Sequence, residues 1–241
     1  MSDVLVIIPT YNEIENIAKM LDTVMALPDG FDVLVIDDNS PDGTQDAVRR
    51  KMEQYNGRID MLTRAGKLGL GTAYIEGFKW ALDKGYDFII EMDADFSHDP
   101  NDLTKLYHAC KDDGYDMAVG SRYITGVNVV NWPMGRVLMS YYASAYVRIV
   151  TGMPLRDSTA GFVCYRASTL RAIDLDQVEF KGYAFQIEMK YRVFKKKLKI
   201  KEIPIIFVNR VLGTSKMSGS IFSEAVFGVI KLRLKSMTHK L

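Results

Sequence analysis

Residues 4–44 read VLVIIPTYNEIENIAKMLDTVMALPDGFDVLVIDDNSPDGT. A short β-branched run, Val4 to Ile8, is followed by a helical pattern from about Glu13, a second run from Val33 to Ile36, and a second helical pattern from about Asp42. This alternation is the punctuation of a βαβ unit. Downstream it repeats: Ile59 to Leu62, a helix from about Leu70 to Leu82, Phe88 to Met92, a helix from Pro100 to about Cys110, and Met117 to Val119. Strands that are apolar along their whole length predict a mostly parallel sheet covered on both faces by helices. Thr10, Asn39 to Asp42 and Asp93 to Asp99 then lie just past the carboxyl ends of strands, where open α/β sheets bind ligands.

Beyond about Tyr123 the pattern loosens. A Gly/Asn/Trp/Pro segment leads into a helix from Gly135 to about Val150, Gly161 to Tyr165 reads as a strand, and a helix spans about Tyr183 to Lys195. The run Ile203 to Val208 and a helix from about Ser220 to Lys235 close the pass. No repeat, low-complexity tract or linker divides the chain, which predicts one continuous domain over residues 1–241. The 241 residues are 48% hydrophobic and 25% charged, with 31 Lys+Arg against 30 Asp+Glu, a balance that excludes wholesale disorder and argues against nucleic acid as a partner. The two cysteines, Cys110 and Cys164, have no metal-ligand spacing and cannot form a secreted disulfide framework, so a reducing compartment is expected. No apolar run approaches the roughly 18 to 20 residues of a membrane span, and the opening Met1-Ser2-Asp3-Val4 lacks the marks of a signal peptide.

The sharpest chemical signal is Asp93-Ala94-Asp95 directly after an apolar strand. Two carboxylates one residue apart at a strand end can present oxygens to a hard cation, with Mg²⁺ or Mn²⁺ the expected guest. The same residues also make an ordinary solvated turn that caps the helix near Pro100. A second acidic cluster, Asp37-Asp38-Asn39-Ser40-Pro41-Asp42-Gly43-Thr44, and Pro9-Thr10-Tyr11-Asn12-Glu13 would converge on the same crevice. Tyr11 offers a flat face for a base, and Asp38 or Glu13 can accept hydrogen bonds from base or ribose; turn and N-cap roles compete at each. The glycines of Gly66-Lys67-Leu68-Gly69-Leu70-Gly71-Thr72 match neither the dinucleotide nor the Walker pattern. They are better read as close packing of the helix they open, with a secondary phosphate contact as the alternative.

These motifs, PTYNE at 9–13, DDNSPDGT at 37–44, GLGTA at 69–73, DAD at 93–95 with HDP at 98–100, GSRY at 120–123, DSTAGF at 157–162 and RVLGTSK at 210–216, occur in one order along most of the chain. Together they resemble a family 2 glycosyltransferase, specifically the dolichyl-phosphate mannose synthase group. The resemblance implies a GT-A glycosyltransferase fold with a Rossmann-like, mostly parallel sheet. It divides the single domain into a nucleotide-sugar-binding half, about 1–123, and an acceptor-binding half, about 124–241. The donor it implies is GDP-mannose and the acceptor dolichyl or polyprenyl phosphate, joined with inversion to a β linkage by a metal-dependent mannosyltransferase.

Carried over by position, the resemblance puts Pro9, Tyr11, Glu13, Ile36 and Asp38 around the nucleoside, and Asp93, Ala94 and Asp95 beside the diphosphate and its metal. Asp95 is the foremost metal ligand and Asp93 the next; Ser97 stands where some relatives carry Gln, which puts the third ligand in doubt. Arg122, Arg210 and Lys216 match basic positions near the phosphates, with Asp95 and Arg122 the expected catalytic pair. Arg136 and Ser140 match acceptor-phosphate contacts less specifically. Gln186 and Glu188 are candidates for the sugar or acceptor pocket, or for a solvent-facing helix surface, and Asp157 for shaping that pocket or for a turn. An acceptor phosphate is already anionic at neutral pH, so no general base is expected.

A polyprenyl acceptor lives in a bilayer, so the chain is expected on the cytoplasmic side in peripheral membrane contact, with small membrane-anchoring subunits as candidate partners. Two basic-rimmed amphipathic helices could provide that contact, 135–150 with Val137, Leu138, Tyr141, Tyr142 and Tyr146, and 220–235 with Phe222, Val226, Phe227, Val229 and Ile230. Ordinary core faces are the competing reading for both. Three alternatives stay open: another donor such as UDP-glucose with a different acceptor, a non-catalytic nucleotide-sugar-binding subunit of a membrane complex, and, more weakly, a nucleotidyltransferase.

Overall fold

The structure is a computed structural model that describes residues 2–182, 184–209 and 220–238, with side chains from 227 onward in the last stretch. The first half follows the βαβ reading: β1 (Val4–Thr10), α1 (Ile17–Met25), β2 (Asp32–Asp37), α2 (Thr44–Gln54), β3 (Ile59–Thr63), α3 (Leu70–Lys84), β4 (Phe88–Glu91), α4 (Asp102–Lys111) and β5 (Met117–Ser121). The second half adds β6 (Val129–Val130), α5 (Met134–Thr151), β7 (Val163–Arg166), α6 (Ala167–Ala172), α7 (Ala184–Lys195), β8 (Ile200–Pro204), β9 (Phe207–Val208) and α8 (Ser220–Met237). Seven strands form one sheet in the order β3-β2-β1-β4-β7-β5-β8, parallel throughout except for β7, which runs against both β4 and β5.

Period-two alternation sends the strand side chains into two cores. Val4, Val6 and Ile8 of β1 pack with α1, α2 and α4 on one face, whereas Leu5 and Ile7 pack with α3, α6 and α7 on the other. All six residues of β2 are buried, as a strand covered on both faces requires. A third, smaller core of Val147, Met153, Leu155, Ile187, Tyr191, Val229 and Leu232 joins α5, α7 and α8.

The glycine-rich opening of α3 serves packing, as its sequence suggested. Gly69 has φ +105°, and a Cβ on Gly71 would fall 2.8 Å from the Phe180 carbonyl oxygen and from the Phe185 ring. The backbone of α3 therefore seats directly against the 180–185 segment.

Several boundaries differ from expectation. The first helix begins at Ile17 because Asn12 takes φ +58° and the Glu13 carbonyl closes a turn, accepting from the amides of Asn16 and Ile17 at 3.0 and 2.9 Å. The second begins at Thr44, where Asp42 receives the Thr44 amide at 3.0 Å. The run Ile203 to Val208 divides: β8 follows β5 as far as the Ser121–Pro204 pair, and β9 then pairs in parallel with β6 as a separate two-stranded sheet. The strand expected from Gly161 starts at Val163. Strand β6 and helix α6, of two and six residues, are too short to leave a periodic trace.

Candidate active site

The chain runs outward from β1 to β3 and then crosses to β4 on the other side of β1, so the strand order reverses between β1 and β4. Such a switch point opens a crevice at the carboxyl ends of the strands. The pairing of Thr10 with Asp37, and of Ile7 with Glu91, brings the ends of β1, β2 and β4 to that crevice.

Asp37 organises the wall between β1 and β2. Fully buried, it accepts hydrogen bonds from the Thr10 hydroxyl at 2.8 Å, the Ser40 amide and hydroxyl at 2.8 and 2.6 Å, and the Gln45 side chain at 2.8 Å. Ser40 in turn receives the Asn12 amide at 3.0 Å, and Thr44 receives the Glu13 amide at 3.0 Å. The PTYNE and DDNSPDGT loops are thus one cross-linked unit. It holds half-buried Pro9, Tyr11 and Glu13 beside buried Ile36 and Asp38.

The partner of Asp38 is a residue the sequence reading passed over. Arg64, at the end of β3, gives its Nε to the Asp38 carboxylate at 2.6 Å, and also reaches the Thr72 hydroxyl at 2.7 Å and the Gly69 carbonyl at 3.3 Å. One guanidinium therefore ties β2, β3 and the start of α3 together, and the pair sits deep, with side-chain exposures of 3% and 11%. Lys67, from the same loop, lies 5.4 Å from the centroid of the Tyr11 ring. A charged residue directly ahead of a glycine-rich turn at a third strand end was the available signal.

The loop after β4 carries half-buried Asp93, then Ala94 and Asp95 at 3% and 8% exposure. It turns sharply at Phe96, φ +58°, as the Ser97 amide donates to the Asp95 carboxylate at 3.0 Å. The Ser97 carbonyl accepts from the Val208 amide at 3.1 Å, fastening this loop to β9. Next to it His98 is buried, stacked on Phe162 at 4.8 Å and edge-on to Phe207 at 5.3 Å. Burial, with the nearby Arg122 charge, lowers its pKa to about 4, so the ring is neutral at physiological pH.

Arg122 forms a buried fork with Asp157, donating from Nε and Nη2 at 2.7 and 2.6 Å and from its backbone amide at 2.9 Å; Nη2 also reaches the Thr159 hydroxyl at 2.8 Å. The rings of Tyr123, Trp132 and Phe207 lie 5.4 to 5.6 Å from the guanidinium carbon. Burial would raise the Asp157 carboxyl, but the Arg122 charge and hydrogen bonds outweigh it and hold the group below the ordinary range. Asp157 is therefore the anchor of Arg122, and the turn role weighed for it in sequence is the lesser part.

Gln186 is buried, not solvent-facing. It donates from Nε2 to Glu91 at the end of β4, while its Oε1 accepts from Lys190 Nζ at 2.9 Å, and that Nζ also reaches the Ala160 carbonyl at 2.7 Å. Burial raises the Glu91 pKa and lowers that of Lys190, each partly restored by the other's charge. Glu188 is equally buried and is taken up in structure, receiving the amides of Glu179 and Phe180 at 2.9 and 3.0 Å and the Arg192 guanidinium at 2.8 Å.

Arg136, in the first turn of α5, donates to Asn209 Oδ1 at 3.1 Å and lies 4.0 Å over the Trp132 ring. Ser140, one turn on, sits close enough to the Tyr123 hydroxyl to influence its titration. The structure thus brings Arg136, Ser140 and Arg122 around Tyr123 and Trp132. Arg210 and Lys216 lie outside the described residues.

Two carboxylates at a strand end suit a hard divalent cation that takes its remaining oxygens from phosphates. Asp93 and Asp95 meet that description, with Ser97 beside them. Among the described residues no group of three His, Cys, Asp or Glu side chains forms an all-protein cage. The donor set would suit a divalent cation such as Mg²⁺ or Mn²⁺.

Residues 5–174 match the model of glycosyl transferase family 2. The undecaprenyl-phosphate mannosyltransferase of Micrococcus luteus is 49% identical over 229 residues, covering 95% of this chain and 93% of that protein. The polyprenol monophosphomannose synthase of Mycolicibacterium smegmatis is 44% identical over 225 residues, covering 93% and 84%. Among solved structures, glucosyl-3-phosphoglycerate synthase of Mycobacterium tuberculosis, in complex with Mn²⁺, UDP and glucosyl-3-phosphoglycerate, superposes with a TM-score of 0.67 at 18% identity, covering 97% of this chain and 78% of that one. With a mostly parallel sheet reversing between β1 and β4 and acidic loops at its strand ends, the chain has the GT-A fold and belongs to glycosyl transferase family 2.

Proposed function

We propose that this protein transfers mannose from GDP-mannose to a polyprenyl phosphate of the dolichyl or undecaprenyl type, with inversion to a β linkage. The observation that carries the reading is the 49% identity, over 95% of the chain, to a protein named as an undecaprenyl-phosphate mannosyltransferase. The site chemistry agrees. Tyr11 and the Arg64–Asp38 pair offer a flat face and oriented polar groups for a nucleoside, with Pro9, Glu13 and Ile36 completing the wall. Asp93 and Asp95, with Ser97, would hold Mg²⁺ or Mn²⁺. When bound, that ion neutralises charge developing on the nucleoside diphosphate leaving group.

The acceptor is already an anion, so the protein has no proton to remove; its task is to orient a phosphate oxygen behind the anomeric carbon. Arg136 and Ser140 are the groups for that phosphate. Arg122 is locked to Asp157, so it shapes the wall between donor and acceptor and lends positive potential from a fixed place. By sequence motif alone, Arg210 and Lys216 belong with the phosphates.

Among the described residues no helix is long and apolar enough to cross a membrane. The outer faces of α5 and α8 instead expose Leu138, Tyr142 and Ile149, and Phe227, Leu234 and Met237, while Val147, Val229 and Leu232 fill the core between them. The inner faces are thus ordinary core faces, and the outer faces are the ones left for any membrane contact. The exposed faces, rimmed by Arg136, Arg148, Lys231 and Arg233, suit peripheral contact with a bilayer on the cytoplasmic side. The side chains of Phe222 and Val226 lie outside the described residues.

The test incubates purified protein with a short polyprenyl phosphate, Mg²⁺ or Mn²⁺, and GDP-mannose or UDP-glucose in parallel, and follows sugar into the lipid phase. Labelling from GDP-mannose that stops with chelator is the expected result. Labelling from UDP-glucose alone would overturn the donor, and none from either, with vesicles and candidate anchoring subunits added, would overturn the acceptor.

A further inference from the structure

A cation in the first turn of a helix stands at the positive end of the helix dipole and is disfavoured there. Arg136 occupies that position in the 18-residue α5, whose first turn contains no acidic residue. The face of Trp132 meets it at 4.0 Å, well inside the range in which an aromatic quadrupole attracts a cation. Trp132 is itself fixed edge-on to Phe207 at 5.2 Å, and the Arg122 guanidinium lies 5.5 Å from its ring. Phe207 in turn meets His98 in the loop that carries Asp95 and Ser97. A continuous column therefore runs Arg136, Trp132, Phe207, His98, from the proposed acceptor cation to the proposed metal loop.

The backbone holds the same elements in register. The Phe207 amide donates to the Asn128 carbonyl at 3.0 Å, the Asn209 amide to Val130 at 2.9 Å, and the Asn128 amide to Arg122 at 2.9 Å. The indole N–H of Trp132 is buried and has no hydrogen-bond partner among the described residues. A buried, unmatched donor carries a desolvation cost, which the ring's contacts with Arg136 and Phe207 help to offset.

We propose that Trp132 is the positioning residue for acceptor use: it holds the Arg136 guanidinium against the helix dipole, at a fixed distance from the loop of Asp93 and Asp95, where an anionic phosphate ester can meet it. This rests on the acceptor reading above. Trp132 acts through Arg136, so its loss should appear in acceptor affinity and not in donor affinity.

The chain has two tryptophans, so Trp80→Phe, a change on α3 remote from the crevice, leaves Trp132 as the sole indole reporter. Titration of that variant with farnesyl phosphate, without donor, should change the indole emission saturably, and adding Arg136→Ala should weaken the response on the order of tenfold. In steady state, Trp132→Leu should raise KM for the polyprenyl phosphate by roughly tenfold, with donor KM and kcat at saturating acceptor within about twofold of the unaltered protein. Trp132→Phe, which keeps a weaker aromatic face, should fall between. In the Arg136→Ala background Trp132→Leu should have little further effect, because the two act as one unit. An unchanged acceptor KM in Trp132→Leu, equal losses for donor and acceptor, or additive effects with Arg136→Ala would each overturn the inference while leaving the mannosyl-transfer reading intact. Farnesyl phosphate that binds neither the Trp80→Phe variant nor the unaltered protein by calorimetry would overturn both.

Discussion

The Asp157 carboxylate receives both Nε and Nη2 of Arg122, at 2.7 and 2.6 Å, with side-chain exposures of 0% for Asp157 and 9% for Arg122. Removing one partner of such a pair leaves a buried charge uncompensated, at about 3–5 kcal/mol. Asp157→Ala should therefore lower Tm by roughly 10 °C, given about 2–4 °C per kcal/mol for a chain of this size. The pH dependence follows from the depressed Asp157 pKa. Its stabilisation is complete above the ordinary carboxylate range and fades as pH falls through the folded value, so the Tm gap between variant and unaltered protein should narrow only in strong acid. A Tm unchanged by the substitution at neutral pH would remove the anchoring role.

Asp95→Ala should abolish sugar transfer while leaving the fold largely intact, since a divalent cation would lose its foremost carboxylate ligand. Mn²⁺ binding in the presence of GDP, read by electron paramagnetic resonance, should be lost with it. Retained turnover at saturating donor would sink the metal assignment.

Arg64 should matter to nucleotide affinity although it lies on the third strand. Arg64→Ala removes the bonds to Asp38, Thr72 and the Gly69 carbonyl together, leaving the buried Asp38 carboxylate without this guanidinium. Truncating one member of a buried, hydrogen-bonded charge pair costs about 2–5 kcal/mol, shared here between stability and the GDP dissociation constant. Calorimetry should show weaker GDP binding by at least about tenfold, with acceptor affinity unmoved.

At the opposite pole His108 bridges two carboxylates, bonding Asp112 from Nδ1 and Asp29 from Nε2 at 2.9 Å. The Asp112 hydrogen bond, followed by Asp29, raises its pKa above the ordinary value of 6.5. A raised value places the stabilisation below about pH 6.5 and removes it as pH rises through the folded pKa. Urea midpoints of the unaltered protein should fall across that window, and those of His108→Gln should be flat there. The ring is 44% exposed, so the effect is small and weakens with salt.

The strands and crevice were legible because β1, β2, β4 and β5 are apolar runs, and a run buried on both faces needs no partner to declare itself. The polar loops at their ends were equally plain, and the ends of β1, β2 and β4 do converge. What sequence could not give was which groups pair across the chain. Arg64 meets Asp38 over 26 positions and Lys190 meets Ala160 over 30, contacts created by topology and not by any local pattern. For the same reason Gln186 and Glu188, readable as a polar helix face, are buried polar groups with partners from β4 and the 179–180 turn. Trp132 looked like loop material because the ring that it supports belongs to β9, some 75 residues later.

Strand β7 lies between β4 and β5 and runs against both. A ribosome making this chain releases β4 long before residues 163–166 exist. At about 5–20 residues per second, the β4 edge waits roughly 4 to 15 seconds for its neighbour. Until then β1 to β4 form a half-sheet with an unpaired, apolar border, the kind of surface on which chains associate. Neither half of the molecule is thus a cassette that can be exchanged alone: the strands of residues 1–123 join into one continuous sheet only when residues 163–166 supply the strand between β4 and β5.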